Sequence, residues 1–404
     1  MSRIVFAWEL GDNFGHLYRM LPIAEALLAR GHQVSFIVNH LTAAQAILAP
    51  RGIPFLPAPA LRAPHELNRD IASYADILAR TGFTQATALH GMMTAWRHLH
   101  GLLQTDVVVL EHAPAALIAA RMLGLKTVHI GTGFTIPPAV APMPCFRPWR
   151  PDLAAALATT ECKVLATINT VLATHGHAAA ASLSEALQTD RTILLTLPEL
   201  DHYPAANRSH AVLASPLQHH AEGQTVHWQQ ARLPRIFMYL RQHPWLPEVL
   251  DLLAATNVEV IAMIPDIPES LLQRHAGSRR LRIYRQPLNL QALLPACELA
   301  ITHGGHGTTA DCLQHGVPML LLPVHIEQLL ITARVAAAGA GQGILPDAVE
   351  NAFGQVLQTQ LTDASFTLAA HQIASRHAKA NPAQTLATLI EIIESLAIAA
   401  ATSD

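Results

Sequence analysis

The chain has 404 residues, of which 51% are hydrophobic and 14% charged, so it has enough apolar residues for two cores, and two domains are expected. A net charge of -3 gives no reason to expect nucleic acid as a partner. No apolar run reaches the ~20 residues that cross a bilayer, and an acid at Glu9 comes too early for a signal peptide. The four cysteines form no CxxC pair, which is typical of reduced thiols. We therefore expect a cytoplasmic protein.

The N-terminal residues predict an α/β unit. Residues 4–8 read as a strand, 16–29 as an amphipathic helix ended by Gly31, and 34–38 as a second strand. This strand–helix–strand order predicts a parallel, doubly wound sheet. A dinucleotide-binding fold is the rival, but the spacing of Gly11 and Gly15 is not G-x-G-x-x-G, and Asn39 and His40 stand where an NAD site has an acid.

The middle of the first half is less regular. Residues 71–103 are predicted to be helical in two or more pieces, and 106–110 form a buried strand that is followed by Glu111. Prolines exclude helix and central strand over 136–151. Phe146, Arg147, Trp149 and Arg150 give this segment an amphipathic, cationic tip. An acceptor-side lid, a weak membrane-surface contact and a merely structural loop all remain open for it.

Two histidine pairs raise the question of a metal site. They are His175 with His177 and His219 with His220. Neither pair has helical ligand spacing or a nearby set of Cys or Asp, so no metal is expected. A linker is predicted near 218–234, and a second strand–helix–strand series begins at about 236. The glycines within 339–343 predict a flexible turn.

The most informative stretch is 299–328. An apolar strand over 299–302 is followed by His303, by three glycines at 304, 305 and 307, and by a helix that stops at Gly316. The glycines therefore lie where a strand turns into a helix N-terminus, whose unpaired N–H groups and positive dipole suit a phosphate. Thr308 adds a hydroxyl, and Asp311 lies one turn further along. An ordinary strand–loop–helix with a capping threonine is the plain alternative.

This ordered run resembles the donor-nucleotide signature of the GT-B family of UDP-glycosyltransferases, called the PSPG box in plant members. The matching features keep the family's order without a gap: His303, Gly305, Thr308, Asp311, Gly316-Val317-Pro318 and Glu327-Gln328. The resemblance implies a GT-B architecture, in which two Rossmann-like domains of doubly wound parallel sheet face each other across a cleft. The implied divisions are an acceptor-binding domain (1–217), a linker (218–234), a nucleotide-sugar-binding domain (235–380) and a C-terminal helix (381–404) that packs back on the first domain.

The resemblance also implies the roles of the donor-site residues. His303, Gly307 and Thr308 would hold the diphosphate beside Gly305, and Asp311 would hold the ribose. Glu327 and Gln328 would bind the sugar hydroxyls.

Two positions depart from the family pattern on the donor side. Residues 240–243 replace the family's Ser-x-Gly-Ser, so Arg241 would supply positive charge to the diphosphate instead. Arg285 stands where plant members have a stacking tryptophan, and Gln286 would present its backbone to the base. Uracil and thymine are not separated by these residues.

In the family, a histidine that follows a glycine at the start of the first long helix is the catalytic base. Here that histidine is His16, which near neutral pH can take a proton from an attacking hydroxyl. Glu111 stands where the family has an aspartate that orients this histidine. A histidine at a helix start that faces solvent is the alternative for His16.

The implied reaction is transfer of a sugar from a UDP- or TDP-sugar co-substrate to an acceptor hydroxyl, with inversion and without a metal or other cofactor. The acceptor is a small molecule or a peptide. A nucleotide-sugar epimerase of related fold and a non-catalytic sugar-nucleotide-binding protein are the alternatives.

Overall fold

The computed structural model describes residues 1–11, 15–60, 67–204, 206–217 and 223–401. The chain divides into two compact units. The first combines Met1–Thr196, Tyr203–Leu217 and Pro382–Asp404, and the second combines Leu197–His202 and Gln218–Asn381. Each unit is built on one parallel sheet with helices, which is the α/β fold class that the sequence predicted.

Seven strands form the sheet of the first unit within the described residues: β1 (Arg3–Trp8), β2 (Gln33–Val38), β3 (Phe55–Pro57), β4 (Val107–Glu111), β5 (Lys126–Gly131), β6 (Arg191–Leu195) and β7 (Val212–Ala214). Their order is β3-β2-β1-β4-β5-β6-β7. The helices between them are α1 (Gly15–Ala29), α2 (Leu41–Ile47), α3 (Tyr74–Arg80), α4 (Ala86–Leu103), α5 (Pro114–Met122), α6 (Ala154–Thr174) and α7 (Leu183–Ala186). The strand order reverses direction between β1 and β4, which is where doubly wound sheets place their ligand crevice.

Six strands form the second sheet in the part of the chain that is described: β8 (Arg235–Tyr239), β9 (Glu259–Met263), β10 (Leu281–Tyr284), β11 (Leu299–Thr302), β12 (Met319–Leu321) and β13 (Gly341–Gly343). Their order is β10-β9-β8-β11-β12-β13, with the reversal between β8 and β11. The helices are α8 (Leu246–Ala255), α9 (Glu269–His275), α10 (Leu290–Leu293), α11 (His306–Gln314), α12 (Ile326–Ala337), α13 (Val349–Thr362) and α14 (Ala364–His377).

The last helix, α15 (Pro382–Ala401), belongs to the first unit. Over Pro382–Ala400 it is long and apolar enough to cross a membrane, although the sequence analysis counted no such run. Ile390 and Ile393 are buried in the core of the first unit. Glu394 pairs with Arg30 at 2.7 Å and with His32 at 3.2 Å. One side of this helix therefore packs on the first unit.

Residues 197–202 differ from the predicted domain division, which placed them in the first domain. Leu197 and Leu200 are buried in the core of the second unit. The backbone carbonyl of Glu199 accepts a hydrogen bond from Arg334 at 3.1 Å, and its carboxylate pairs with Arg376 at 2.9 Å. The short segment is therefore held by the second unit through both apolar and charged contacts.

Residues 339–343 were expected to form a flexible turn, but Gly341–Gly343 is strand β13. A Cβ atom at Gly341 would lie 2.1 Å from the carbonyl oxygen of Met319 on the neighbouring strand. Glycine is therefore needed here for close approach of two strands, and the pattern was misread as a turn.

The proline-rich segment contains neither helix nor strand before a short 3-10 turn at Pro151–Leu153, as predicted. The amphipathic tip is not formed, because Phe146 is buried and stacks on Phe134 with ring centroids 5.1 Å apart. Arg147 pairs with Asp70, and Arg150 pairs with Asp152. Of the four residues of the expected tip, Trp149 alone is an exposed large hydrophobic side chain, so this arrangement gives little support to a membrane-surface contact.

Candidate active site

His16 and Glu111 meet at the carboxyl ends of two neighbouring strands. The strands β1 and β4 pair in parallel register, so that Trp8 lies beside Glu111. The chain returns after β1 into α1, which begins at Gly15 and places His16 in its first turn. The Nδ1 atom of His16 is within hydrogen-bonding distance of Oε2 of Glu111. The sequence prediction paired these two residues, and the fold brings them into contact.

A second side chain holds the same carboxylate. The guanidinium of Arg19 donates to Oε1 of Glu111, while His16 contacts Oε2. Glu111 is fully buried. Burial alone would raise the pKa of Glu111, but the charges of His16 and Arg19 and the hydrogen bond from His16 outweigh it and lower the pKa to about 2. Glu111 is therefore an ionised acceptor for the His16 N–H.

The other faces of the His16 ring are closely confined. The indole of Trp8 stacks on the ring at a centroid distance of 5.0 Å. A Cβ atom at Gly11, whose φ is +90°, would lie 2.3 Å from Nε2 of His16. The side chain of His16 is only 13% exposed. Packing and the Glu111 contact thus fix the ring instead of leaving it on the surface, which argues against the solvent-facing alternative.

Two further histidines are buried beside this pair. His112 follows β4 with its ring centroid 6.2 Å from that of His16, and His129 lies on β5. Burial lowers the pKa of His112 to about 3 and that of His129 to about 4, so both rings are neutral near pH 7. The Nε2 atoms of both rings have no hydrogen-bond partner among the described residues. Neither histidine was predicted from the sequence to belong to the site.

Glu9 is a third buried acid near the end of β1. Its carboxylate accepts the backbone N–H groups of Ala115, at 2.9 Å, and Ala116, which open α5. Burial raises the pKa of Glu9 to about 8 although these two hydrogen bonds oppose the shift. Glu9 therefore anchors a helix N-terminus in the wall of the site.

A cavity of about 250 Å³ lies in the first unit beside these residues. Apolar side chains of the proline-rich segment line it, together with Leu117 of α5. The histidines His129 and His210 also line it. Tyr74 lies at the edge of the cavity and is also a neighbour of His112, at a ring distance of 6.0 Å. The neighbouring rings of Tyr74 and His112 therefore connect the cavity wall to the His16 ring.

In the second unit, the predicted phosphate site is a helix N-terminus without a side-chain cap. Strand β11 ends at Thr302, and Gly304 turns the chain with a φ of +83°. Gly305 is the N-cap of α11 and offers no side chain to the first-turn N–H groups. Gly305 and Gly307 are exposed, whereas Thr308 is buried. α11 therefore begins at exposed glycines, at the place where the pattern of glycines predicted a helix N-terminus.

His303 follows β11, and its predicted contact with the diphosphate stays a prediction. Its Nε2 accepts the backbone N–H of Arg241 at 2.7 Å, and its Nδ1–H donates to the carbonyl of Leu322 at 2.8 Å. Burial lowers the pKa of His303, which agrees with a neutral ring. In this structure both ring nitrogens bind backbone groups, and the histidine joins β11, β12 and the segment after β8.

The remaining donor residues lie around the carboxyl edge of the second sheet. Arg241 is 3.8 Å from Asp266, and Arg285 pairs with Glu269 at 2.8 Å, so each cation already faces an acid.

The residues predicted to bind the ribose and the sugar lie on α11 and at the start of α12. Asp311 is buried behind α11. Glu327 and Gln328 open α12, where the Gln328 side chain accepts the backbone N–H of Val324 at 2.8 Å. Gln286 is exposed just after β10. Their contacts with ribose, sugar and base stay predictions.

Arg19 and Gly11 are the site residues that sequence analysis missed. Arg19 follows His16 by three residues, so both lie on one face of α1, and this spacing was the available signal. No group of three or more His, Cys, Asp or Glu side chains suited to a metal occurs among the described residues.

Comparisons with known proteins find similarity to glycosyltransferases. Residues 247–392 match the family described as erythromycin biosynthesis protein CIII-like, C-terminal domain. The chain is 24% identical over 386 residues to zeaxanthin glucosyltransferase of Pantoea ananas, with 87% of each chain covered. It is 26% identical to L-demethylnoviosyl transferase of Streptomyces niveus over 349 residues, with 83% of each chain covered.

Among solved structures, spinosyn rhamnosyltransferase SpnG complexed with thymidine diphosphate has the same fold, with a TM-score of 0.68 and 20% sequence identity. That match covers 96% of this chain and 100% of SpnG. The chain has the GT-B fold of these glycosyltransferases. In this fold, the His16–Glu111 pair stands at the strand reversal of the first sheet and the glycine-rich N-terminus of α11 at that of the second.

Proposed function

We propose that this glycosyltransferase moves a sugar from a TDP- or UDP-sugar to a hydroxyl or similar nucleophile of a small molecule, with inversion and without a metal. The observation that carries the proposal is the contact between His16 and the ionised, buried Glu111. A neutral histidine held by a carboxylate through Nδ1 keeps its other nitrogen as a proton acceptor. That is the arrangement which general-base activation of a hydroxyl requires.

In the proposed reaction, Nε2 of His16 takes the proton of the acceptor hydroxyl as its oxygen attacks the anomeric carbon. The bond between that carbon and the diphosphate oxygen breaks, and its electron pair leaves with the nucleoside diphosphate. Glu111 stabilises the imidazolium that forms. A one-step displacement of this kind inverts the anomeric centre.

The leaving diphosphate is proposed to lie at the N-terminus of α11. The exposed backbone of Gly305 and Gly307 and the helix dipole offer N–H donors and positive potential there. These groups stabilise the charge that develops as the bond breaks. Because they replace a divalent ion in this role, we propose that the reaction needs no metal and no other cofactor. The solved complex of SpnG with thymidine diphosphate favours TDP over UDP as the nucleotide.

The acceptor is proposed to enter the cavity that Leu117, His129 and the proline-rich segment line. These walls suit a molecule with an apolar body, and SpnG has also been solved complexed with spinosyn aglycone. The four cysteines are free, and we propose a cytoplasmic location on that ground.

Mass spectrometry of reaction mixtures tests the proposal. The protein is incubated with TDP-glucose, TDP-rhamnose or UDP-glucose and a panel of macrolide aglycones, carotenoid diols and phenols, with and without EDTA. The expected result is a product heavier by one sugar, equimolar nucleoside diphosphate and no effect of EDTA.

Three outcomes would overturn parts of the proposal. An altered nucleotide sugar in the absence of any acceptor would favour an epimerase. Nucleotide retention without turnover on any acceptor would favour a binding protein. Loss of turnover in EDTA that magnesium restores would contradict metal independence.

A further inference from the structure

We infer that Arg19 is a positioning residue that completes a His16–Glu111–Arg19 triad, in which it holds the second oxygen of Glu111, balances the buried charge of that carboxylate and so fixes its contact with His16. The role as base rests on the proposed function. The arrangement of the three side chains does not.

The two partners of Glu111 contact different oxygens of its carboxylate. His16 contacts Oε2 of Glu111, and Arg19 donates to Oε1. The two partners come from the first turns of one helix, three residues apart, and the side chain of Arg19 is only 16% exposed. A carboxylate with both oxygens occupied cannot rotate away from Nδ1 without breaking the pair with Arg19.

This bracing explains how glutamate can stand where the family has aspartate. The extra methylene gives Glu111 one more rotatable bond, which on its own would loosen the contact with His16. Arg19 removes that freedom by fixing the outer end of the side chain. The longer side chain and the arginine are therefore expected to depend on each other.

Arg19 is also the cation that balances Glu111. Among the residues that the structure describes, the other titratable groups near the carboxylate are His112, His129, Tyr74 and Glu9. Burial lowers the pKa of both histidines and raises that of Tyr74 and Glu9, so near neutral pH these groups are mainly uncharged. Without Arg19, the buried charge of Glu111 would be neutralised by a proton shared with His16. A His16–Glu111 pair that already carries this proton cannot accept one from an acceptor hydroxyl.

The test follows the His16 ring by NMR in protein labelled with ¹³C and ¹⁵N at histidine, with His16→Gln used to assign its signals. Arg19→Met removes the charge but keeps the chain length, Arg19→Lys keeps the charge, and Arg30→Met removes an exposed arginine that pairs with Glu394. In Arg19→Met we expect the titration midpoint of the His16 signals to rise by about one pH unit or more, because loss of the guanidinium leaves the negative charge of Glu111 uncompensated beside the imidazolium, and a charge this close shifts such groups by ~1–3 units. Arg19→Lys should recover most of the parental midpoint, and Arg30→Met should not change it.

The same variants are then assayed for glycosyl transfer between pH 5 and 9. The acid limb of kcat/KM in Arg19→Met should move upwards with the NMR midpoint. A folded Arg19→Met protein whose His16 titrates at the parental pH would overturn the inference. If Arg19→Met does not fold, Arg19→Gln replaces it and is judged by the same criterion. If the His16 midpoint rises in Arg19→Met but the parent protein has no transferase activity, the triad is supported and the proposed reaction is refuted.

Discussion

The Nε2 atom of His303 accepts a hydrogen bond from the backbone nitrogen of Arg241, 2.7 Å away. This bond ties the residues that follow β8 to the residues that follow β11. A diphosphate that is to reach His303 must first displace the Arg241 N–H. The histidine therefore helps to shape the donor site even where it does not touch the donor.

His303→Ala should weaken TDP binding, because it frees the segment at Arg241 and removes a predicted phosphate contact. A loss of about 1.5–3 kcal/mol is expected for a hydrogen bond to a charged group, which corresponds to roughly a 10–150-fold rise in Kd. Calorimetry with TDP measures it. His315→Ala, at the other end of α11, is the control and should bind TDP as the parent does. Equal affinity in both variants would remove His303 from the donor site.

Thr308 and Thr309 give a matched pair at the start of α11. Thr308→Val should raise the Kd for TDP by roughly 10–150-fold, because the hydroxyl is predicted to donate to phosphate. Thr309 is fully buried, and its hydroxyl has no hydrogen-bond partner among the described residues. Thr309→Val should therefore leave the Kd unchanged. If Thr309→Val weakens TDP binding as much as Thr308→Val, the helix as a whole and not the Thr308 hydroxyl is responsible.

Gly11 is predicted to matter for catalysis through contact with His16. In Gly11→Ala, the new methyl group would lie 2.3 Å from Nε2, so the ring must move. Gly31 has a similar φ of +85°, yet a Cβ there meets nothing within 4 Å, so Gly31→Ala carries the same backbone strain without the clash. Gly11→Ala should lower kcat at least tenfold relative to Gly31→Ala. Similar kcat values in the two variants would mean that strain alone explains the effect.

Glu9 should make the stability of the first unit depend on pH. Its pKa is about 8 in the folded chain and 4.5 ordinarily, so the folded state keeps a proton that the unfolded state releases. The contribution of Glu9 to the free energy of unfolding is complete below pH 4.5. It is lost as the pH rises towards 8, at up to ~1.4 kcal/mol per pH unit. The difference in melting temperature between Glu9→Gln and the parent should therefore be more favourable to the variant at pH 8 than at pH 5. The exposed Glu25→Gln is the control; an equal Glu9→Gln effect at both pH values would refute the assignment.

The sequence predicted the parallel sheets and the helix N-terminus of the donor site because strand periodicity and glycine spacing are local signals. It also predicted the partners His16 and Glu111, since each follows a recognisable strand. The Arg19 contact depends on which oxygen of Glu111 faces α1, and strand and helix patterns do not encode that. The same holds for His303, whose ring nitrogens are taken by backbone groups distant in sequence.

Misreadings arose where one residue type serves two purposes. Glycines at 341 and 343 were taken as turn residues, but in β13 they allow strands to approach closely. Phe146 was taken as part of an exposed tip, whereas aromatic stacking on Phe134 buries it. Both outcomes depend on neighbours that only the fold supplies.

The most direct test of the account is the turnover of His16→Ala, measured together with its affinity for TDP. A positioned general base contributes about 10²–10⁴-fold, so kcat should fall by that factor, while the Kd for TDP should stay at the parental value because the predicted donor residues belong to the other unit. Glu111→Gln should lose less activity, since it keeps the shape of the contact but not its charge. Parental turnover by His16→Ala would contradict the assignment of His16 as the base.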